Sequence, residues 1–383
     1  MRSRAQLTTA VETVIRETMD RPQAARRRLV FLVIGVLVAG TIVLRHGATT
    51  PSHIGLGTVP AASHERRLRR ILNDPKLRQA VPMDGRLVRR MLQRMSAGQH
   101  VWRILDASGH ADVVRVLLAA RWYRGRAIPL TWVLWRAQHP HAESSWTECH
   151  TLLAQVATIL PAGVQVTVLD DRACGCPAFT DLVQAQGWDD LVRVPDQTRL
   201  RHADGRIQEL RTLLSAAGTR WYGTGHACKQ QGWRPVSVVA YRRAPCRAPL
   251  LLVSRYPLSW DVVRQDRLRR AIEALVRDGK RSGWPWVARP VRDPQHQAVL
   301  VLVLAIVTLL TRCLGEEVAQ ACRAQPPQTG QRRPWHARNS LVRLGRDRRW
   351  QRRWQQDERP IDGTRTQFDA PNWSIACWQA ARP

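Results

Sequence analysis

Residues 262–284 read VVRQDRLRRAIEALVRDGKRSGW. On a helix advancing 100° per residue, Arg269, Glu273 and Lys280 fall within roughly 40° of one another, and Asp266 lies about 20° from Glu273. Leu268, Ile272, Leu275 and Val276 form a separate apolar stripe. The stretch therefore predicts one helix with an apolar back and a front that sets a carboxylate between two cations. A solvated face of mixed charge gives the same pattern. What Glu273 means depends on the chain upstream.

Working outward from that helix, three segments read as consecutive strands: VWRILDAS (101–108), VVRVLLAARWY (113–123) and RAIPLTWVLWR (126–136). They are rich in Val, Leu, Ile and Trp, and short turns containing Gly109 and Gly125 separate them. A helical segment at 144–160 precedes GVQVTVLDDRACG (163–175), a buried strand ending on Asp170 and Asp171. A helix near 177–186 and a short strand, DLVRVP (190–195), follow. Three strands and then alternating helix and strand is the order of a ribonuclease H-like core, an α/β fold whose mixed sheet carries helices on both faces. Residues 197–260 break the alternation and read as a β-rich insertion. The expected organisation is a helical, basic region at 1–98, a core at 99–196, the insertion at 197–260, the rest of the core with its helix at 261–322, and a basic Trp/Arg-rich tail at 323–383.

The chain has 383 residues, with 60 Lys and Arg against 30 acids, a net charge of +30 and a pI near 11.5. A surplus of this size repels itself in a compact state and predicts binding to phosphate, with strong salt dependence. A GC-rich genome explains Arg over Lys but not the shortage of acids. In SHERRLRRILNDPKL, from Ser63, the expected N-cap, Arg66, Arg67, Arg69 and Arg70 lie beside Leu68, Ile71 and Leu72. Arg86, Arg89, Arg90 and Arg94 repeat the arrangement on an expected second helix. A helical module gripping DNA backbone fits these uncompensated arginines.

Eight scattered cysteines include no CxxC pair and no Cys-His zinc spacing, which reads as free thiols in a reducing cytoplasm. Two apolar runs, residues 29–44 and 298–311, fall short of the roughly 18 residues of a spanning helix. They are expected to be buried helices, with no membrane partner. No P-loop, dinucleotide, zinc-protease or Ser-His-Asp pattern is present.

Three carboxylates remain. Asp106 ends the first strand in LDAS, Asp171 ends the fourth in LDDR, and Glu273 is on the helix. Two strand-end carboxylates and one helical carboxylate can hold two divalent ions about 4 Å apart. Magnesium suits such oxygen ligands, and manganese can substitute. Each Asp alone reads equally as a turn or cap residue.

Together these residues resemble the DDE transposases of bacterial insertion sequences, in the group (insertion-sequence family four) marked by Tyr-x2-Arg-x3-Glu-x6-Lys. Arg269, Glu273 and Lys280 match that spacing, and GKRSGW follows. LDDR resembles the group's second-Asp motif, LDAS its first, GRAIPLTW (125–132) its third strand, and RRLRR (66–70) its N-terminal region. The resemblance spans most of residues 60–320. It implies an enzyme that cleaves DNA strands and rejoins them, binding terminal inverted repeats and target DNA as a synaptic homodimer in the cytoplasm, at the nucleoid. Asp106, Asp171 and Glu273 would be its ligands for two magnesium ions, and Arg269 and Lys280 its phosphate contacts. Trp221 or Trp233 in the β-rich insertion would stack on a flipped base, although ordinary packing accounts for both.

Two positions depart from the group. Asp266 stands where the signature has Tyr, and Cys174 where the second-Asp motif has Phe. A carboxylate at 266 would repel phosphate or disturb the metal site, which predicts an impaired copy. The alternatives are a remnant that binds element ends without cutting, and a membrane-anchored basic protein using residues 29–44.

Overall fold

The computed structural model describes residues 8–9, 11–16, 22–44, 60–78, 100–110, 113–123, 126–137, 144–160, 163–170, 177–243, 248–278, 284, 286 and 291–324. Within these, side chains are described except at 38, 61, 100–110, 123, 126, 144–145, 231, 313–314 and 316–324. The chain divides into two compact units, one of residues 1–87 and 277–383, the other of residues 88–276.

In the first unit, α1 (Gln23–Ala39), α2 (Ala61–Leu72), the short α3 (Pro75–Arg78) and α7 (Pro294–Ala324) pack on one another. Run 298–311 lies wholly in α7, run 29–44 is helical only as far as Ala39, where Gly40 ends the helix, and α1 and α7 are in contact. Within the two runs, nearly all the apolar side chains described in these helices are buried, Val33, Leu302 and Val303 completely. Among the described residues one helix, Pro294–Arg312, is long and apolar enough to cross a membrane by length and composition, and most of it is buried in the protein. The helix runs on through GEEVAQACRA, mostly good helix formers, to Ala324.

α2 starts earlier than its sequence suggests. Pro60, not Ser63, is its N-cap, and the Pro60 carbonyl accepts from the amides of Ser63 and His64. Proline has the φ that helix entry needs, so Ser63 lies inside the first turn. The amphipathic reading of the helix holds in its burial. Leu68, Ile71 and Leu72 are buried, while Arg66, Arg67, Arg69 and Arg70 are exposed above them. The second basic group, Arg86 to Arg94, lies outside the described residues.

The second unit is built on a ten-stranded mixed sheet in the order β3-β2-β1-β4-β5-β10-β9-β8-β6-β7. β1 (His100–His110), β2 (Val114–Tyr123) and β3 (Arg126–Arg136) form an antiparallel meander. After α4 (Ser144–Ile159), β4 (Gln165–Asp170) pairs parallel to β1, and after α5 (Pro177–Ala185), β5 (Asp189–Arg193) pairs parallel to β4. Residues 197–260 continue the same sheet through β6 (Arg199–Arg201), β7 (Ile207–Glu209), β8 (Arg220–Ala227), β9 (Arg234–Tyr241) and β10 (Leu250–Ser254), the last antiparallel to β5. α6 (Val262–Arg277) follows.

Strand alternation separates the two faces. Val166, Val168 and Val192 meet Leu152 and Val156 of α4 and Phe179 and Val183 of α5 in one core. This helix-covered side continues under β8–β10 as a second cluster around Leu200, Val238 and Leu251. Ile104, Leu169 and Leu191 stand level with one another in the register and carry the opposite parity. Phe179 is fully buried, so Phe179→Ala should destabilise this unit by about 3–5 kcal/mol. Denaturant unfolding measures this, and a loss under 1 kcal/mol would contradict the assignment of Phe179 to a packed core.

Candidate functional site

α6 ends at Arg277, shorter than the stretch that defined it in the sequence. Its first turn is set by Ser259, whose carbonyl accepts the Val262 amide and whose hydroxyl accepts the Asp261 amide. Arg277 in its last turn complements the helix dipole.

The helix turns a different face inward from the one its sequence suggests. Of the expected apolar stripe Ile272 is buried and Leu268, Leu275 and Val276 are half-buried, while Ala271, Ala274, Asp266 and Arg269, outside the stripe, are buried. Asp266 is only 4% exposed and accepts two bonds from Arg193, the last residue of β5: Nε to Oδ1 at 2.8 Å and Nη2 to Oδ2 at 2.5 Å. The fork neutralises the carboxylate inside the protein, so Asp266 does not present a charge to solvent or phosphate. This corrects the expectation that it repels a polyanion. One turn on, the buried Arg269 reaches Oε1 of Glu273 at 2.7 Å, and the Glu273 side chain is half exposed. The helix thus alternates acid, base and acid from its interior to its surface.

Arg193 was missed in the sequence reading. Its signal was a lone cation in the apolar run DLVRVP, matched by an acid on the next helix that such an Arg could neutralise.

Asp106 lies inside β1, which runs on to His110, and not at the strand's end as the sequence suggested. Ile104 pairs with Leu169, which places Asp106 two residues beyond Ile104 and Asp170 one beyond Leu169, both toward the C-terminal ends of parallel neighbours. Asp170 pairs with Val192 of the helix-covered core and is buried there. The side chain of Asp106 and the whole of Asp171, Cys174 and Lys280 lie outside the described residues. Among the described residues no group of three His, Cys, Asp or Glu side chains could hold a metal ion.

The two tryptophans proposed for base stacking are both engaged. Trp221 packs on the cluster around Leu200 and Val238, with the His202 ring edge-on at 6.1 Å. Gly223 makes room for it, since a Cβ there would lie 2.7 Å from the indole. Trp233 has φ 53 and carries the Arg201 guanidinium 4.9 Å over its ring. The more exposed rings are Tyr222 and Trp260, and Arg220 lies 5.7 Å from Trp260 and 5.4 Å from Tyr241.

On α2, Arg67 stacks over Phe31 at 4.5 Å and Arg69 pairs with Glu65 at 2.8 Å, while Arg66 and Arg70 stay exposed.

A second buried acid belongs to a different site. Asp190 faces a cavity of about 50 Å³ lined also by Ser254, Cys228 and Arg234. Burial pushes its carboxyl up to about 6, against the opposing effect of Arg255, whose amide reaches Oδ1 at 3.4 Å. The folded chain therefore holds this proton more tightly than the unfolded chain. Stability falls as pH rises from about 4 to about 6 and stays reduced above that. Asp190→Asn should match the parent near pH 4 and exceed it at pH 8 by up to about 3 kcal/mol. Thermal melts at both pH values check this, and equal gains at both would refute it.

No protein-family model matches the chain, and no curated protein matches it. Among solved structures, the piggyBac transposase in a synaptic complex with hairpin DNA aligns with 96% of this chain and 87% of its own, at 12% identity and a TM-score of 0.44. A likeness this loose assigns neither fold family nor activity, and the functional argument stays with the residues of this chain.

Proposed function

We propose that the chain is a DDE transposase with a ribonuclease H-like core, cleaving and rejoining DNA strands at the ends of an insertion sequence. The observation that carries the proposal is the strand order β3-β2-β1-β4-β5, with β1, β4 and β5 parallel and α6 clipped to the end of β5 by Arg193. Val192 faces the α4/α5 core, so Arg193, its neighbour in β5, projects to the opposite side. Asp106 follows Ile104 by two residues in β1, level with the end of β4 where α6 is tied to the neighbouring strand.

Asp106, Asp171 and Glu273 would hold two magnesium ions, with manganese able to substitute. Such a pair supplies an activated water or 3′-hydroxyl and charge stabilisation for the leaving oxygen. The half-exposed Glu273 carboxylate fits that use because a ligand can approach it without unfolding the helix. Arg269 and Lys280 would meet phosphates near the scissile bond. Arg66, Arg67, Arg69 and Arg70 would grip the backbone of terminal-repeat or target DNA, and two copies would meet on it. For base stacking, Tyr222 and Trp260 have more open ring surface than Trp221. The substrate would place the protein at the nucleoid in the cytoplasm.

One observation favours the alternative of an end-binding remnant without cleavage: Arg269 already occupies an oxygen of Glu273. Nicking of end-sequence DNA in magnesium separates the two. Glu273→Ala should abolish nicking and change DNA affinity less than about twofold. Nicking that survives this change would overturn the assignment of Glu273. Replacing Arg66, Arg67 and Arg70 together with Ala should weaken binding to all sequences alike. The slope of log affinity on log salt should fall by about 2–3, read by fluorescence anisotropy across a salt series.

A further inference from the structure

We infer that Arg193 and Asp266 form a positioning pair that sets the rotation of α6 about its own axis, and through it the direction in which Glu273 faces. The inference rests on the proposed role of Glu273. A planar guanidinium gripping both carboxylate oxygens fixes an angle as well as a distance. Asp266 and Glu273 are seven residues apart, which on an α-helix is within about 20° of two full turns. Holding the first therefore fixes the azimuth of the second. Packing contributes through Val262 and Ile272, but the buried face also includes Ala271 and Ala274, and only the fork holds both oxygens of one side chain at a set angle. Arg269 stands between the two acids and extends the hold outward to the Glu273 carboxylate.

Rotating α6 far enough to redirect Glu273 would tear the fork and leave a carboxylate buried without its cation, which is strongly unfavourable. Asp266 occupies the signature Tyr position of the group that the sequence resembles. In this chain it is half of an anchor, and restoring Tyr there would remove the anchor.

The test compares Arg193→Gln, Arg193→Lys, Asp266→Asn, Asp266→Tyr and the swap of Arg193→Asp with Asp266→Arg in the full chain. Magnesium-dependent nicking, DNA affinity and hydrogen exchange over residues 262–277 are measured for each. Arg193→Gln, Asp266→Asn and Asp266→Tyr should each lose about tenfold or more in nicking, with DNA affinity nearly unchanged. Arg193→Lys should fall between them and the parent, because it keeps the charge but not the fork. The swap should recover both nicking and exchange protection. Single variants that nick and exchange like the parent would overturn the inference, as would a swap that regains protection but no nicking. Should the parent itself fail to nick, the transposase proposal fails, and the exchange data decide on the pair alone. Protection lost in the singles and regained in the swap sustains it, and unchanged protection ends it.

Discussion

Parallel strands cannot be joined by a hairpin, so pairing β1 with β4 and β4 with β5 forces each connection to cross a face of the sheet. Both crossings, α4 and α5, use the same face and fill it with one apolar cluster. The opposite side of β5 is thereby left for an element arriving from elsewhere in the chain. Residues 197–260 delay that arrival by extending the sheet, and β10 then returns antiparallel to β5. α6 starts eight residues after β10 ends and is tied to β5 by Arg193. The proposed site follows from this order of events: Asp106 within β1 beside the end of β4, and a helix anchored at the neighbouring strand.

Charge is handled differently in the interior and at the surface. With 60 cations to 30 acids, half the cations are in excess of the acids, and the arginines on α2 remain exposed. The acids that are buried are put to specific use. Asp266 is neutralised by a fork from Arg193, and Asp74 pairs with Arg28. Asp190 instead keeps its proton longer, since burial penalises its charged form more than Arg255 stabilises it. In a chain so rich in cations, each buried acid costs stability unless a partner offsets it, and the partner then dictates geometry.

The three-strand meander, the α4 and α5 crossovers and the strand character of 197–260 could be read from the sequence, because β-branched runs broken by turn residues carry their own period. RAIPLTWVLWR is β3 from its first residue to its last. Helix ends were less legible. Pro60 captured the start of α2 from Ser63, and α6 stopped at Arg277, short of its sequence stretch, since both depend on local competition that a periodicity does not report. The faces of α6 misled for a deeper reason. A helical wheel assigns charged residues to solvent, and it holds no information about a cation waiting on a strand 73 residues earlier.

The sequence by itself determined which elements form, the basic stripe on α2 and the spacing of Arg269, Glu273 and Lys280, because these are properties of short stretches. Only the tertiary structure decided that Asp266 points inward, that Trp221 is spent on packing and that 197–260 extends the sheet. Each of those outcomes depends on partners distant along the chain, whose approach is set by strand pairing and by the cost of burying a charge alone.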